Sequence, residues 1–314
     1  MPADPVQLKP PPPALACDAP DAHLVLAGDA GDDARCSLWW EGTPRLNGRR
    51  VGAIGHFSAV DAAGGARLLR AACARLAAQG CAVAVGPMDG SSWRSYRLVS
   101  ERGDEPPFLL EPDTPAHWPA CFAGAGFSVI ARYCSSLQDD LHLRDARFEP
   151  IAQRAAAAGI RIRTFDRGRA EQDLCAIHAL ALEAFRDGFL YSPISRASFL
   201  AQYVRVLPLL REELVLLAEL RGELVAFLFA LPDALETARG APPRTAILKT
   251  VAARRGRMFA GLAHLLAARA AANARALGYR RAVHALMHEG NGSRNWSARN
   301  GTVFRRYALL GRTL

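Results

Sequence analysis

The chain has 314 residues, of which 50% are hydrophobic and 22% charged, with a formal net charge of +9. That apolar share is enough to bury cores, which excludes wholesale disorder, and the length corresponds to about two domains at roughly 150 residues each. No uninterrupted apolar run reaches the roughly 18 residues of a membrane-spanning helix, since the most apolar stretch, 62–78, is broken by Arg67, Arg70 and Arg75, so no membrane partner is expected.

The start, Met1 to Pro13, is polar and ends in the proline run Pro10 to Pro13. It lacks the charged start and apolar middle of a signal peptide, which predicts an extended arm over 1–35 and a cytoplasmic location. The cysteines at 17, 36, 73, 81, 121, 134 and 175 are odd in number and scattered, without a metal-ligand spacing. They are expected to be inert buried thiols, and no metal is expected. Lys9 and Lys249 are the only lysines; all other basic residues are arginine, spread along the chain and not gathered in a tract, so nucleic acid is not the expected partner.

A first domain is expected over 36–137. Val51 to Val60 reads as a strand, followed by the glycine turn Ala62-Ala63-Gly64-Gly65-Ala66, a helix from Arg67 to Gln79 closed by Gly80, and a strand from Cys81 to Val85. Residues 138–158, charged and then alanine-rich, form a linker with a connecting helix. The second domain, 159–314, opens with a strand, Ile160 to Phe165, and a helix, Ala170 to Phe185. After the loop Arg186 to Ser195 come a second helix, Arg196 to Leu210, and a hairpin, Leu214 to Leu220 and Leu224 to Leu231.

The second half then repeats the first. A strand, Ala246 to Ala253, meets the turn Met258 to Ala263, a helix from His264 to Leu277 closed by Gly278, and a strand from Arg281 to Leu286. Ile130-Ala131-Arg132-Tyr133 is answered by Phe304-Arg305-Arg306-Tyr307. Each unit is strand, glycine turn, helix, strand, a parallel crossover, so the expected fold class is α/β, two tandem domains each with a mixed central sheet flanked by helices and the first truncated at its front. A glycine turn ahead of a helix exposes free backbone N–H groups and the positive end of the helix dipole, a setting for an anion such as a phosphate, although a plain packing turn has the same sequence. Trp93, Arg94, Tyr96 and Arg97 interleave cations with aromatics; such a pattern stacks on bases, lines a cleft between domains, or forms a domain interface.

This order of elements resembles the GNAT acyltransferase superfamily, and the whole is similar to tandem-GNAT proteins. The resemblance is carried by the strand Ile247 to Ala253, by Gly261-Leu262-Ala263, by the strand Arg281 to Met287 and by the short helix Asn291 to Asn300. The family pattern is Gln/Arg-x-x-Gly-x-Gly/Ala; here Met258 and Asp61 stand where Gln or Arg is usual, while Gly261-x-Ala263 and Gly64-x-Ala66 keep the small positions.

The resemblance implies acetyl-CoA or another acyl-CoA as donor and a small-molecule primary amine as acceptor. Backbone groups near Thr250, Val251 and Ala252 would hold the acyl carbonyl. The amides of Phe259, Ala260, Gly261, Leu262 and Ala263 would hold the diphosphate, with Arg257 and Asn291 beside them. Glu289, His288 and Glu219 are the candidate bases. Asp187, Phe189 and Tyr191, in the loop between the first two helices, would form the acceptor site. Phe122 and Trp296 fall where the family has its tyrosine acid, and neither can donate a proton to sulfur; Tyr307 lies in a later strand. The expected function is an N-acyltransferase active in the second half, with a non-catalytic acyl-CoA-binding protein as the alternative.

Overall fold

The computed structural model describes residues 6–16, 18–28, 31–142, 148–291 and 293–314. The N-terminal half supplies β1 (Val6–Leu8), α1 (Pro13–Ala16), β2 (Ala22–Ala27), β3 (Asp32–Trp39), β4 (Arg45–Leu46), β5 (Arg49–Ala59), α2 (Ala62–Ala78), β6 (Val83–Gly86), β7 (Leu98–Glu101), α3 (Trp118–Gly124) and β8 (Ser128–Gln138). The C-terminal half supplies α4 (Phe148–Ala157), β9 (Ile160–Thr164), α5 (Ala170–Phe185), α6 (Arg196–Val204), β10 (Val215–Leu220), β11 (Glu223–Pro232), α7 (Ala234–Ala238), β12 (Thr245–Ala253), α8 (Leu262–Ala276), β13 (Arg281–His288), α9 (Ser293–Asn300) and β14 (Thr302–Thr313).

The strands form one sheet in the order β1-β2-β3-β5-β6-β14-β8-β13-β12-β11-β10-β9, with β4 on β5 and β7 on β14. The order is a near-palindrome. Parallel β5/β6 in one half answers parallel β12/β13 in the other, and the two halves meet where Tyr133 of β8 faces Tyr307 of β14. Each half lends its last strand to its neighbour: β14 pairs with β6, and β8 pairs with β13, both antiparallel. The exchange satisfies the edge that β6 and β13 would otherwise expose and ties the halves into a continuous ladder.

The βαβ units follow from the sequence pattern. In α8 the buried positions Leu262, Leu265, Leu266, Ala270 and Ala274 form one stripe, and its alanines let the helix lie close on the sheet. One core lies between that face and the sheet, with α4 added from the connecting segment; a second, around Phe165, Ile177, Phe199 and Phe227, lies under α5 and α6 on the opposite face. The N-terminal core surrounds α2 and includes Leu24, Leu26 and Phe122.

Three expectations change. The glycine run 62–66 is the first turn of α2 itself and not a loop before it. Gly65 is there for packing, since a Cβ would lie 2.6 Å from Cys121 Sγ on α3. The span 1–35 contributes β1 and β2 to the sheet, so an arm is not what its described part forms. At the front of the first half the strands are present, β1 on β2 as β9 is on β10; what is reduced is the helical segment between them, where α1 has four residues against α5 and α6.

Cys36, Cys73, Cys81, Cys121 and Cys134 are buried and Cys175 is partly so; burial pushes the Cys73 thiol up to about 11. Cys17 lies outside the described residues. Among the described residues no helix is long and apolar enough to cross a membrane, and no group of His, Cys, Asp and Glu has the composition of a metal site.

Candidate active site

β12 and β13 pair in parallel from Thr245/Arg281 to Leu248/His284 and then part. Both strands are irregular at that point. On β12 the register with β11 shifts between Phe229 and Ala230, leaving Lys249 as an extra, bulged residue. On β13 the register with β8 shifts between His284 and Met287, and Leu286 takes a left-handed φ of 58°. Bulges bend a strand and re-aim its side chains. The result is a cavity of about 950 Å³ between the diverging strands. Its walls include Ala263 and Ala267 of α8 on one face of the sheet and Phe185 and Tyr203 of α5 and α6 on the other, so it passes through the sheet.

At the α8 end, Gly261 is the N-cap with φ 85°, and no side chain among the described residues caps the helix. Gly261 is needed twice over: its φ is left-handed, and a Cβ would come 2.8 Å from Ile151 Cδ1 on α4. The Leu262 and Ala263 amides therefore begin the helix without a side-chain acceptor, an arrangement that suits an anion. Phe259 and Ala260 do not join them, because their N–H groups donate to Gly256 O and Arg257 O in a short 3₁₀ turn.

The N-terminal half closes the corresponding place. Beyond Ala53/Val85 its parallel strands stay joined, Met88 N donating to Ile54 O at 2.8 Å and His56 N to Asp89 Oδ1 at 2.6 Å. The N-terminus of α2 is already occupied by an anion of the chain itself: Asp61 Oδ1 accepts from Gly64 N at 2.7 Å. The α3 residues Phe122 and Cys121 pack over this region, and neither is exposed.

The candidate residues divide. Thr250, Val251, Ala252, Ala263, His288, Phe189, Tyr191 and Asn291 all line the cavity. His288 Nδ1 accepts from Gly290 N at 3.0 Å, so the neutral ring carries its proton on Nε2 and is a donor there. Its ring stacks on Phe189 at 6.0 Å and meets Tyr133 edge-on at 5.1 Å, and burial, then the charge of Arg97, lowers its pKa. Tyr191 Oη is buried with no hydrogen-bond partner among the described residues.

Three candidates are engaged elsewhere, and a fourth, Arg257, lies off the cavity. Glu289 accepts from Arg306 Nη1 at 3.0 Å. Glu219 is held by Arg163, Nη2 at 2.6 Å, in a cluster with Asp173 toward the sheet's far edge. Asp187 pairs with Arg255 at 2.8 Å on the surface. Arg257 is exposed beside the 3₁₀ turn and does not line the cavity. Phe122 belongs to the N-terminal core, Tyr307 is buried against Ser135 and Glu111, and the side chain of Trp296 lies outside what is described.

Other cavity residues come from places that sequence order does not connect to the site. Lys249 reaches it through the bulge; burial, with the charge of Arg97 adding, pushes its ammonium down to about 7, and its hydrogen bond, to Leu110 O, is long at 3.5 Å. The side chain is partly buried and is one of those that line the cavity. Arg97 and Tyr133 come from the N-terminal half, Tyr133 on the exchanged strand β8. Glu111 accepts from Arg305 Nη1 at 2.7 Å, both side chains at most 1% exposed, and from Tyr307 Oη. The signals in the sequence for these residues are the rarity of lysine and the alternation of arginine with aromatics at 93–97.

No family model matches the chain, and no curated protein matches it in sequence. Solved structures do match in fold. A GCN5-related N-acetyltransferase from Sphaerobacter thermophilus aligns over 99% of this chain and 96% of its own, with a TM-score of 0.53 and 14% identity. A tandem GNAT protein from the clavulanic acid biosynthesis pathway aligns over 97% and 88%, with a TM-score of 0.52 and 14% identity. A GCN5-related glucosamine N-acetyltransferase region of a fungal multi-domain GH3 β-N-acetylglucosaminidase gives a TM-score of 0.56 at 14% identity over 95% of this chain, which spans 34% of that longer protein.

Proposed function

From the tandem fold of the GCN5-related N-acetyltransferases, which this chain shares, we propose that it is an acyl-CoA-dependent N-acyltransferase whose working site is the cleft between β12 and β13. The observation that carries this reading is the coincidence, in one half only, of a through-sheet cavity and an uncapped helix N-terminus. The Gly261, Leu262 and Ala263 amides would hold the diphosphate, and the β12 backbone at Thr250 to Ala252, which has no β13 partner, would hold the acyl carbonyl. Bound there, the acyl thioester supplies an activated carbonyl, and its thiolate, with a thiol pKa of about 8.5, leaves without a protein acid.

The chain's own work is to bring the amine to that carbonyl and to take its proton. Lys249 Nζ is the group that takes the proton. Held near 7, it is largely a neutral amine at mildly alkaline pH and has a lone pair to offer. His288, donating from Nε2, orients the reactants. Phe189, Tyr191, Trp93 and Tyr203 wall the acceptor side and exclude water. The diversion of Glu289 and Glu219 into ion pairs favours the non-catalytic alternative only if Lys249 does no chemistry.

Thiol release from acetyl-CoA over a panel of primary amines tests the reading. We expect amine-dependent release that falls roughly 100-fold or more in Lys249→Met. Coenzyme binding without release for any amine would replace it by the non-catalytic alternative.

A further inference from the structure

The acceptor side of the cavity has an excess of positive charge. Its lining holds Arg94, Arg97 and Lys249 but a single carboxylate, Glu111. Glu111 is already used by Arg305 and Tyr307. Arg94 is paired with Asp18 at 3.2 Å. Arg97 and Lys249 are left with no carboxylate within ion-pairing distance among the described residues.

Arg97 is held as a fixed donor. It is 5% exposed, and its guanidinium lies 3.8 Å from the Tyr96 ring centroid and 4.0 Å from that of Tyr133. Nε donates to Tyr96 O and Nη1 to Leu286 O, which leaves Nη2 without a partner among the described residues, and Arg97 is one of the residues that line the cavity. The backbone around it is strained in three places: Arg97 at φ 72°, Leu110 at 65° and Leu286 at 58° are left-handed non-glycine residues, and all three line this cavity. Such outliers collect at functional sites because packing elsewhere sustains them. A stacked, buried arginine with no counter-ion is a costly feature unless a ligand supplies the charge.

An acceptor amine arrives as an ammonium. A plain alkylamine would meet repulsion here, whereas an amine that also carries an anionic group would be drawn in. We infer that the acceptor is an amino acid or similar amine bearing a carboxylate, held by Arg97, and with its side chain against the aromatic wall of Trp93, Phe185 and Tyr203. A guanidinium fixed in this way gives a carboxylate a charge-assisted hydrogen bond and leaves Lys249 free to take the ammonium's proton.

This inference rests on the acyltransferase reading for the word acceptor, and the test separates the two. The full chain is titrated calorimetrically with a panel of N-acetylamino acids and with the matching N-acetylamino acid amides. At least one acid should bind about tenfold or more tightly than its amide, as expected for a charged hydrogen bond, and Arg97→Gln should erase that difference while Arg97→Lys keeps part of it. The acid–amide comparison in the unaltered chain stands even if the variants do not fold. Equal affinity of acid and amide throughout the panel overturns the inference, and so does an acid preference that survives in a folded Arg97→Gln. Turnover of amines with no preference for carboxylates would leave the acyltransferase reading intact and remove this one. An acid preference with no turnover of any amine would do the reverse.

Discussion

Replacing Lys249 with methionine tests the electrostatics of the cleft without reference to any ligand. The side chain is matched in length, and the change removes the one ammonium that burial and Arg97 push down to about 7 from its ordinary 10.5. A lysine whose folded-state value lies below its unfolded one destabilises the fold wherever both states are protonated. Below about pH 7 that cost is present in full; between about 7 and 10.5 the unfolded chain binds more protons, so stability rises with pH; above that range the cost is gone. At about 1.36 kcal/mol per pH unit the two values bound the cost at about 5 kcal/mol, and solvent screening of a side chain that is only partly buried discounts it to about 2 kcal/mol. Urea unfolding at about pH 6 and about pH 10 should therefore show Lys249→Met more stable than the parent at the lower pH, with the advantage shrinking by about 2 kcal/mol at the higher. An effect of the same size and sign at both pH values would refute the idea that this ammonium is held in a desolvated, cationic setting.

Other expectations follow from the same contacts. Arg305→Met strands Glu111 in the interior with its charge unmatched, since both side chains are at most 1% exposed, and should cost about 3–5 kcal/mol in urea unfolding. Asp61→Ala removes the cap of α2 and should cost about 1 kcal/mol while leaving acetyl-CoA affinity unchanged, which calorimetry would check. His284, pushed down to about 3 by burial and hydrogen-bonded to Ser297 and Gln138, is neutral in the fold. Its folded-state value is depressed, so stability should fall as pH drops from about 6.5 toward 3, and His284→Gln should flatten that part of the acid unfolding profile.

The local pattern of the sequence carries the βαβ units, because glycine turns, alanine-rich helices and apolar strands are written within short windows. Ala170–Phe185 forms α5 as its periodicity indicates, and the 215–220 and 223–232 strands form the expected hairpin. What windows cannot carry is pairing at a distance. Nothing in 128–138 says that this strand leaves its own half to lie beside β13, and that exchange brings Tyr133 into the cleft. Position at a strand end does not make Glu289 a free base, because its ion-pair partner, Arg306, comes from another strand, β14. Lys249 is hidden for a different reason: a bulge changes which face a residue occupies, and alternation read along a strand assumes that no such slip occurs. Gly64 and Gly261 look alike in sequence, yet one lies inside a helix capped by Asp61 and the other caps a helix in a left-handed conformation.

Coenzyme binding in this chain should depend on the uncapped start of α8 as the anchor. Equilibrium titration of the full chain with acetyl-CoA, beside Gly261→Val, measures this directly. A β-branched residue at φ 85° with Ile151 at 2.8 Å from its Cβ must move the Leu262 and Ala263 amides. One site per chain, weakened about tenfold or more in a Gly261→Val protein that is still folded, is the predicted result; two sites per chain, or an affinity unchanged by that substitution, would contradict it.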